Sequence, residues 1–102
     1  MANKQNIRDL KSFVGQEVEL KGWLSNKRSS GSIHFLILRD GTGFLQAIAG
    51  KSDVSPEQFE LINKSGAESS IRVIGKVKEE PRAPGGIELV VSDFEVISGS
   101  ED

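Results

Sequence analysis

VELKGWLSNKRSSGSIHFLILRDGTGFLQAIA, residues 18–49, holds three apolar segments separated by two polar ones. In the first, Val18, Leu20 and Leu24 alternate with Glu19, Lys21 and Trp23, the period-two pattern of a strand with one face in a core. Gly22 falls on the inner side, where a small barrel bends without room for a side chain. The run from His34 to Arg39 is almost wholly apolar, so the second strand is expected to be covered on much of both faces. Asp40-Gly41 supplies a hairpin signal, and a third strand is expected from about Phe44 to Ala49.

The flanks complete the order. Ile7, Leu10 and Phe13 are spaced for a short amphipathic helix that stops at Gly15. SPEQFELINKSG begins with an N-cap serine and a proline at the first helical position, which predicts a helix from about Ser55 to Lys64. Ile71, Val73, Gly75 and Val77 share one face of a fourth strand. In the fifth, Ile87, Leu89 and Val91 alternate before the pattern resumes at Phe94 and Val96, a change of parity that predicts a bulge near Ser92-Asp93. EEPRAPGG joins the two. Three strands, a helix and two more strands, with a short N-terminal helix, describe an all-β OB-fold, the five-stranded Greek-key barrel whose helix lies between strands three and four. The domain is expected to span residues 1–98, with 99–102 a flexible tail.

Composition narrows the function. Hydrophobic residues at 36% and charged residues at 27% are those of a globular chain. There is no cysteine and one histidine, so thiolate metal sites and disulfides are excluded, and His34 has no partner for a triad or a His-rich metal site. No apolar stretch approaches the ~20 residues needed to span a bilayer, and no signal-peptide core is present, which predicts a soluble cytoplasmic domain with no membrane partner. Carboxylates are scattered, no nucleophile stands with a base, and no glycine loop cradles phosphate, so no active site is expected.

Binding is better supported. The net charge is −2, yet no carboxylate occurs from Leu20 to Arg39, where Lys21, Lys27, Arg28 and Arg39 fall. A nucleic-acid footprint depends on that local field. OB-folds bind oligonucleotides on the face of strands two and three, between the loops joining strands one to two and four to five. Those loops are read as NKRSSGS and EEPRAPGG, which puts Lys27, Arg28 and Arg82 at the rim to meet phosphates. Phe35 has two readings: core, or an outward ring able to stack a base. Gln46 likewise faces water or pairs with a base edge. Trp23 reads as packing beneath the rim and His34 as structural.

GWLSNKRSSGSIHFLILRDGTGFLQA, with ESS at 68–70 and RAPGGIELVVSDFEV from Arg82, resembles the N-terminal anticodon-binding domain of asparaginyl-tRNA synthetases, over roughly Val18 to Ile97. Aspartyl-tRNA synthetases share the fold and the Phe/Gln pair but differ in the first loop. The resemblance implies that Phe35 stacks on the middle uridine of the anticodon, that Gln46 hydrogen-bonds the same uridine, and that Arg28 contacts anticodon backbone or bases. It places the loop around Arg82 and Gly85 near the first anticodon base. Ser25 and Ser32 stand where many relatives carry an aromatic residue and a lysine. The family's catalytic domain, which uses ATP and magnesium, is outside this sequence, so the fragment is expected to lack aminoacylation activity and to need no cofactor. The implied partner is a tRNA anticodon stem-loop. The isolated domain is expected to be a monomer, although the parent family is homodimeric. The alternatives are a sequence-tolerant binder of single-stranded nucleic acid and a stand-alone or redesigned barrel that binds a protein.

Overall fold

A computed structural model describes residues 3–66 and 69–98. Glu68 of the ESS motif and the 99–102 tail lie outside the described residues. The elements run β1 (Asn3–Lys4), a 3-10 helix (Ile7–Phe13), β2 (Glu17–Ser30), β3 (Ile33–Arg39), β4 (Phe44–Gly50), α1 (Pro56–Lys64), β5 (Ser70–Glu79) and β6 (Ile87–Ser98). The sheet order is β1-β2-β3-β4-β6-β5, and β5 pairs back to β2, so β2 to β6 close into a ring. β1 is a two-residue parallel addition to the start of β2. The five-stranded barrel with its interposed helix is the architecture expected from the sequence.

β2 has two partners. Glu17 to Trp23 pair with β5, and Trp23 to Ser30 pair with β3. The register slips between Leu24 and Asn26, where Ser25 is the extra residue. Two glycines sit where the barrel is tightest. A Cβ on Gly22 would lie 2.3 Å from the Arg39 carbonyl oxygen, and one on Gly75 would lie 2.4 Å from that of Val90. No side chain fits either approach. In β6, Ile74 faces Asp93 and Gly75 faces Val91, which leaves Ser92 as the bulged residue where the sequence parity changes.

One expectation needs correction. NKRSSGS is not a loop: β2 continues through Ser30, and the turn to β3 is only Gly31-Ser32, with Gly31 at φ +61. Ladder hydrogen bonds need only backbone, so a strand at the end of a barrel tolerates a polar sequence. Side-chain polarity misreported the backbone there.

Inward residues such as Leu20, Leu24, Leu36, Leu45, Ile71 and Leu89 fill the interior. Two plugs close it. The 3-10 helix buries Ile7 and Leu10 and is tied to the β3–β4 turn, with the Ile7 N–H donating to the Asp40 carboxylate at 2.8 Å. At the other end of β3, α1 buries Ile62. Its start is a capping box: the Ser55 hydroxyl accepts from the Gln58 N–H at 3.1 Å, and the Gln58 side chain accepts from the Ser55 N–H at 3.4 Å. The Gln58 amide also reaches the Asp93 carboxylate on β6.

Candidate nucleic-acid interface

Pairing across β2, β3 and β4 lays the outward side chains in rows. Arg28 faces Phe35, which faces Ile48; Asn26 faces Ile37, which faces Gln46; Trp23 faces Arg39, which faces Phe44. The intervening residues His34, Leu36 and Leu38 are buried. Alternation therefore settles the first ambiguity: Phe35 is not core but a half-buried ring on the outer face.

Asn26, Lys27, Arg28, Phe35, Ile37 and Gln46 line a shallow cleft of about 180 Å³ on that face, and none of them is a carboxylate. The Arg28 guanidinium carbon lies over the Phe35 ring, 5.2 Å from its centroid. That contact aligns a planar cation with an aromatic face. On the opposite wall of the barrel the charges are paired instead. Arg72 meets Glu19 at 3.0 Å and Glu95 at 3.3 Å.

Gln46 is held by a residue that the sequence reading passed over. Its Nε2 donates to the carboxylate of Glu88 at 2.7 Å. Parallel pairing of β4 with β6 sets these two residues opposite one another, and Glu88 is 6% exposed. A carboxylate only accepts, so it fixes which end of the Gln46 side chain is nitrogen. One amide N–H and the carbonyl oxygen are left to face the cleft. The signal was present in the sequence: Glu88 interrupts the apolar run Ile87–Val91, in the strand that the OB-fold order places beside strand three.

Lys27 behaves differently from its expected rim role. Its ammonium donates to the carbonyls of Ile62 at 3.0 Å, Asn63 at 2.6 Å and Ser65 at 2.9 Å. These are the carbonyls that end α1, where the helix dipole is negative. All three ammonium protons thus have acceptors within the protein. Arg82 is exposed in the turn between β5 and β6 and does not line the cleft. The structure brings Arg28, Phe35 and Gln46 together, turns the Lys27 ammonium away to α1, and leaves Arg82 apart.

His34, 2% exposed, is structural as expected. Its Nε2 lies 3.2 Å from the Phe59 carbonyl, and its Nδ1 lies 2.6 Å from the Ser29 hydroxyl. A carbonyl only accepts, so Nε2 carries the proton and Nδ1 accepts from Ser29. The ring stacks on Phe59 at 4.1 Å. Burial lowers its pKa, and the nearby Lys27 charge acts in the same direction. Trp23, expected beneath the rim, is 41% exposed on the outer face, with the Arg39 guanidinium carbon 5.4 Å from its ring centroid. The parity of β2 changes only after Leu24, which leaves Trp23 outward.

Among the described residues no group of three or more His, Cys, Asp or Glu could hold a metal ion, and no helix is long and apolar enough to cross a membrane.

Known proteins match the chain over most of its length. The family model for the OB-fold nucleic acid binding domain of the tRNA anticodon type matches residues 18–97. An asparagine–tRNA ligase of Thermus thermophilus is 51% identical over 92 residues, covering 90% of this chain and 21% of the ligase. The crystal structure of asparaginyl-tRNA synthetase from Pyrococcus horikoshii, complexed with asparaginyl-adenylate, superposes with a TM-score of 0.90 at 39% identity. It covers 99% of this chain and 24% of that one. The aspartyl-tRNA synthetase of Entamoeba histolytica superposes at 0.89 with 25% identity, over 99% of this chain and 22% of that one. The chain thus spans about a fifth of the length of the curated relatives it matches. It belongs to the tRNA anticodon-type family of OB-fold nucleic acid binding domains and, within that family, is similar to the asparaginyl-tRNA synthetases.

Proposed function

We propose that this domain reads the anticodon loop of an asparagine-accepting tRNA, as one part of an asparagine–tRNA ligase whose aminoacylation chemistry lies elsewhere in the protein. The observation that carries the reading is the cleft in which Arg28 overlies Phe35 while Gln46, anchored by Glu88, faces the same space. Phe35 stacks on the middle base, Arg28 meets the adjoining phosphate, and Gln46 reads the base edge.

Glu88 sharpens the choice of base. A freely rotating glutamine amide offers its donor and acceptor in either order, and so suits the edges of uracil and cytosine alike. With Nε2 tied to Glu88, the order is fixed. One order matches the N3–H donor and carbonyl acceptor of uracil, and cytosine presents the reverse. A fixed amide can therefore discriminate between the two bases, and the middle uridine is the base we assign to it. Lys27 supports the site from behind rather than touching RNA, and Arg82 contributes at most an outer phosphate contact.

The test is a titration of anticodon stem-loops bearing GUU, GCU and an unrelated triplet, with Phe35→Ala and Gln46→Ala alongside. GUU should bind best, and Gln46→Ala should erode the preference over GCU. Equal binding of all three by the unaltered domain would refute base-specific reading.

A further inference from the structure

The outer face does not end at the cleft. One row beyond Asn26, Ile37 and Gln46 stand Trp23, Arg39 and Phe44, in register on the same three strands. Phe44 is 60% exposed and Trp23 41%, among the largest exposed apolar side chains. Two aromatic rings flank one guanidinium, which already overlies the Trp23 ring. Lys21 follows on the outward side of β2 and is exposed. Asp40 and Glu19, on the flanking segments, are both engaged. Asp40 accepts from the Ile7 N–H, the Thr42 N–H and the Thr42 hydroxyl, and Glu19 is paired with Arg72.

We propose that Trp23, Arg39 and Phe44 form a second stacking platform, which takes another nucleobase of the same RNA. The inference rests on the anticodon reading of the neighbouring cleft and extends it. The argument for RNA as the occupant is continuity and charge. The platform lies on the same strands as the cleft, it is basic, and its rings offer the π-faces that any base can stack on. Phe35 and Arg39 are four residues apart on β3, about 13 Å at ~3.3 Å per residue. That span is about four stacked nucleotides at ~3.4 Å per step. A base at the platform therefore lies a few nucleotides from the base at Phe35, outside the triplet or at its edge. Stacking there is tolerant of sequence, so the platform adds affinity without changing which anticodon is chosen.

Trp23 is the only tryptophan, so its emission reports the platform directly. A stem-loop bearing GUU is titrated into the unaltered domain, Phe44→Leu and Phe35→Ala, following both Trp23 emission and the anisotropy of end-labelled RNA. Phe44 is exposed enough that its replacement leaves the fold intact. RNA should quench Trp23, and Phe44→Leu should weaken binding about 5-fold or more, the effect of losing one base stack. If Phe35→Ala weakens binding while Trp23 emission stays constant and Phe44→Leu binds normally, the platform is refuted and the anticodon reading stands. If neither variant alters binding, or no RNA binds, the anticodon reading falls and takes the platform with it. If Trp23 already emits as a buried indole in a chain of full ligase length before RNA is added, a protein domain covers the platform and the proposal is wrong.

Discussion

Lys27 and Arg28 sit side by side on β2, carry the same charge, and point to opposite sides of the sheet. Lys27 turns to the end of α1 and donates to three carbonyls. Arg28 lies on the outer face above Phe35. Each chemistry suits its place. An ammonium is a compact charge with three donors and no plane, which fits three converging carbonyls. A guanidinium is flat, stacks on a ring, and can grip a phosphate with two parallel N–H bonds. What assigns the two cations to their sides is the bulge at Ser25, which resets alternation between Leu24 and Asn26. Counting positive charges in this segment would give both residues to RNA, whereas the register of one strand separates a structural cation from a binding one.

The largest expected effect breaks the structural half of the pair. Lys27→Met removes charge-assisted bonds from the α1 terminus and should cost about 1–3 kcal/mol of stability, measured by urea unfolding. Affinity for RNA should fall only as far as the site loosens, and the slope of log K against log salt should not change. A slope reduced by ~0.7, the value for one released counterion on a single strand, would mean that Lys27 touches phosphate after all. Glu88→Ala comes next. With Gln46 free to rotate, the preference for GUU over GCU should shrink by about 1–2 kcal/mol, within the range of one bidentate base contact. An undiminished preference would mean that Gln46 is oriented by something other than Glu88. Arg28→Met should leave stability within about 0.5 kcal/mol, as for an exposed substitution. Its affinity should drop by roughly 1 kcal/mol, and its salt slope by ~0.7. Opposite outcomes for the two neighbours, stability for one and salt dependence for the other, are the sharpest form of the comparison.

Much of the fold was legible because it is written in repeating patterns. Alternation at Val18, Leu20 and Leu24, the Ser55-Pro56 helix start, and the parity change at Ser92 each have a local cause, and the structure shows each. What could not be read was set by pairing between distant strands. Ser25 as a bulge depends on which residues of β3 face β2, so neither the strand character of NKRSS nor the inward turn of Lys27 was visible. Glu88 holds Gln46 only because β4 and β6 run parallel and adjacent, across 42 positions of sequence. Trp23 differs for another reason: lone tryptophans are usually packed, but alternation with Leu24 points this one outward.

The smallest effect concerns the tie between the Lys27 side of β2 and α1. Ser29, like Lys27, faces inward, and its hydroxyl donates to His34, which in turn donates to Phe59 on α1. Protonating His34 would place a proton on Nδ1 where Ser29 now donates, and would put a charge in a buried site beside Lys27. Burial accordingly lowers the folded-state pKa below 6.5. In the unfolded chain the imidazole takes up its proton near that ordinary value. Below it the unfolded state binds more protons than the folded one, so stability declines as pH falls. The decline ends once the folded ring is itself protonated. Asp40 is a second contributor in the same direction. Burial opposes its ionisation, but hydrogen bonds from Thr42 and Ile7 outweigh that and lower its pKa below 3.8, so its loss comes only in stronger acid. Between 6.5 and 3.8 His34 contributes to the slope in this direction, and His34→Asn should make it shallower in thermal melts read across that range. A wild-type melting temperature that does not move there, or a variant that keeps the full slope, would show that the tie does not depend on a neutral imidazole. Arg28, on the other side of the strand, should feel this acidification only through whatever backbone motion the loosened tie permits.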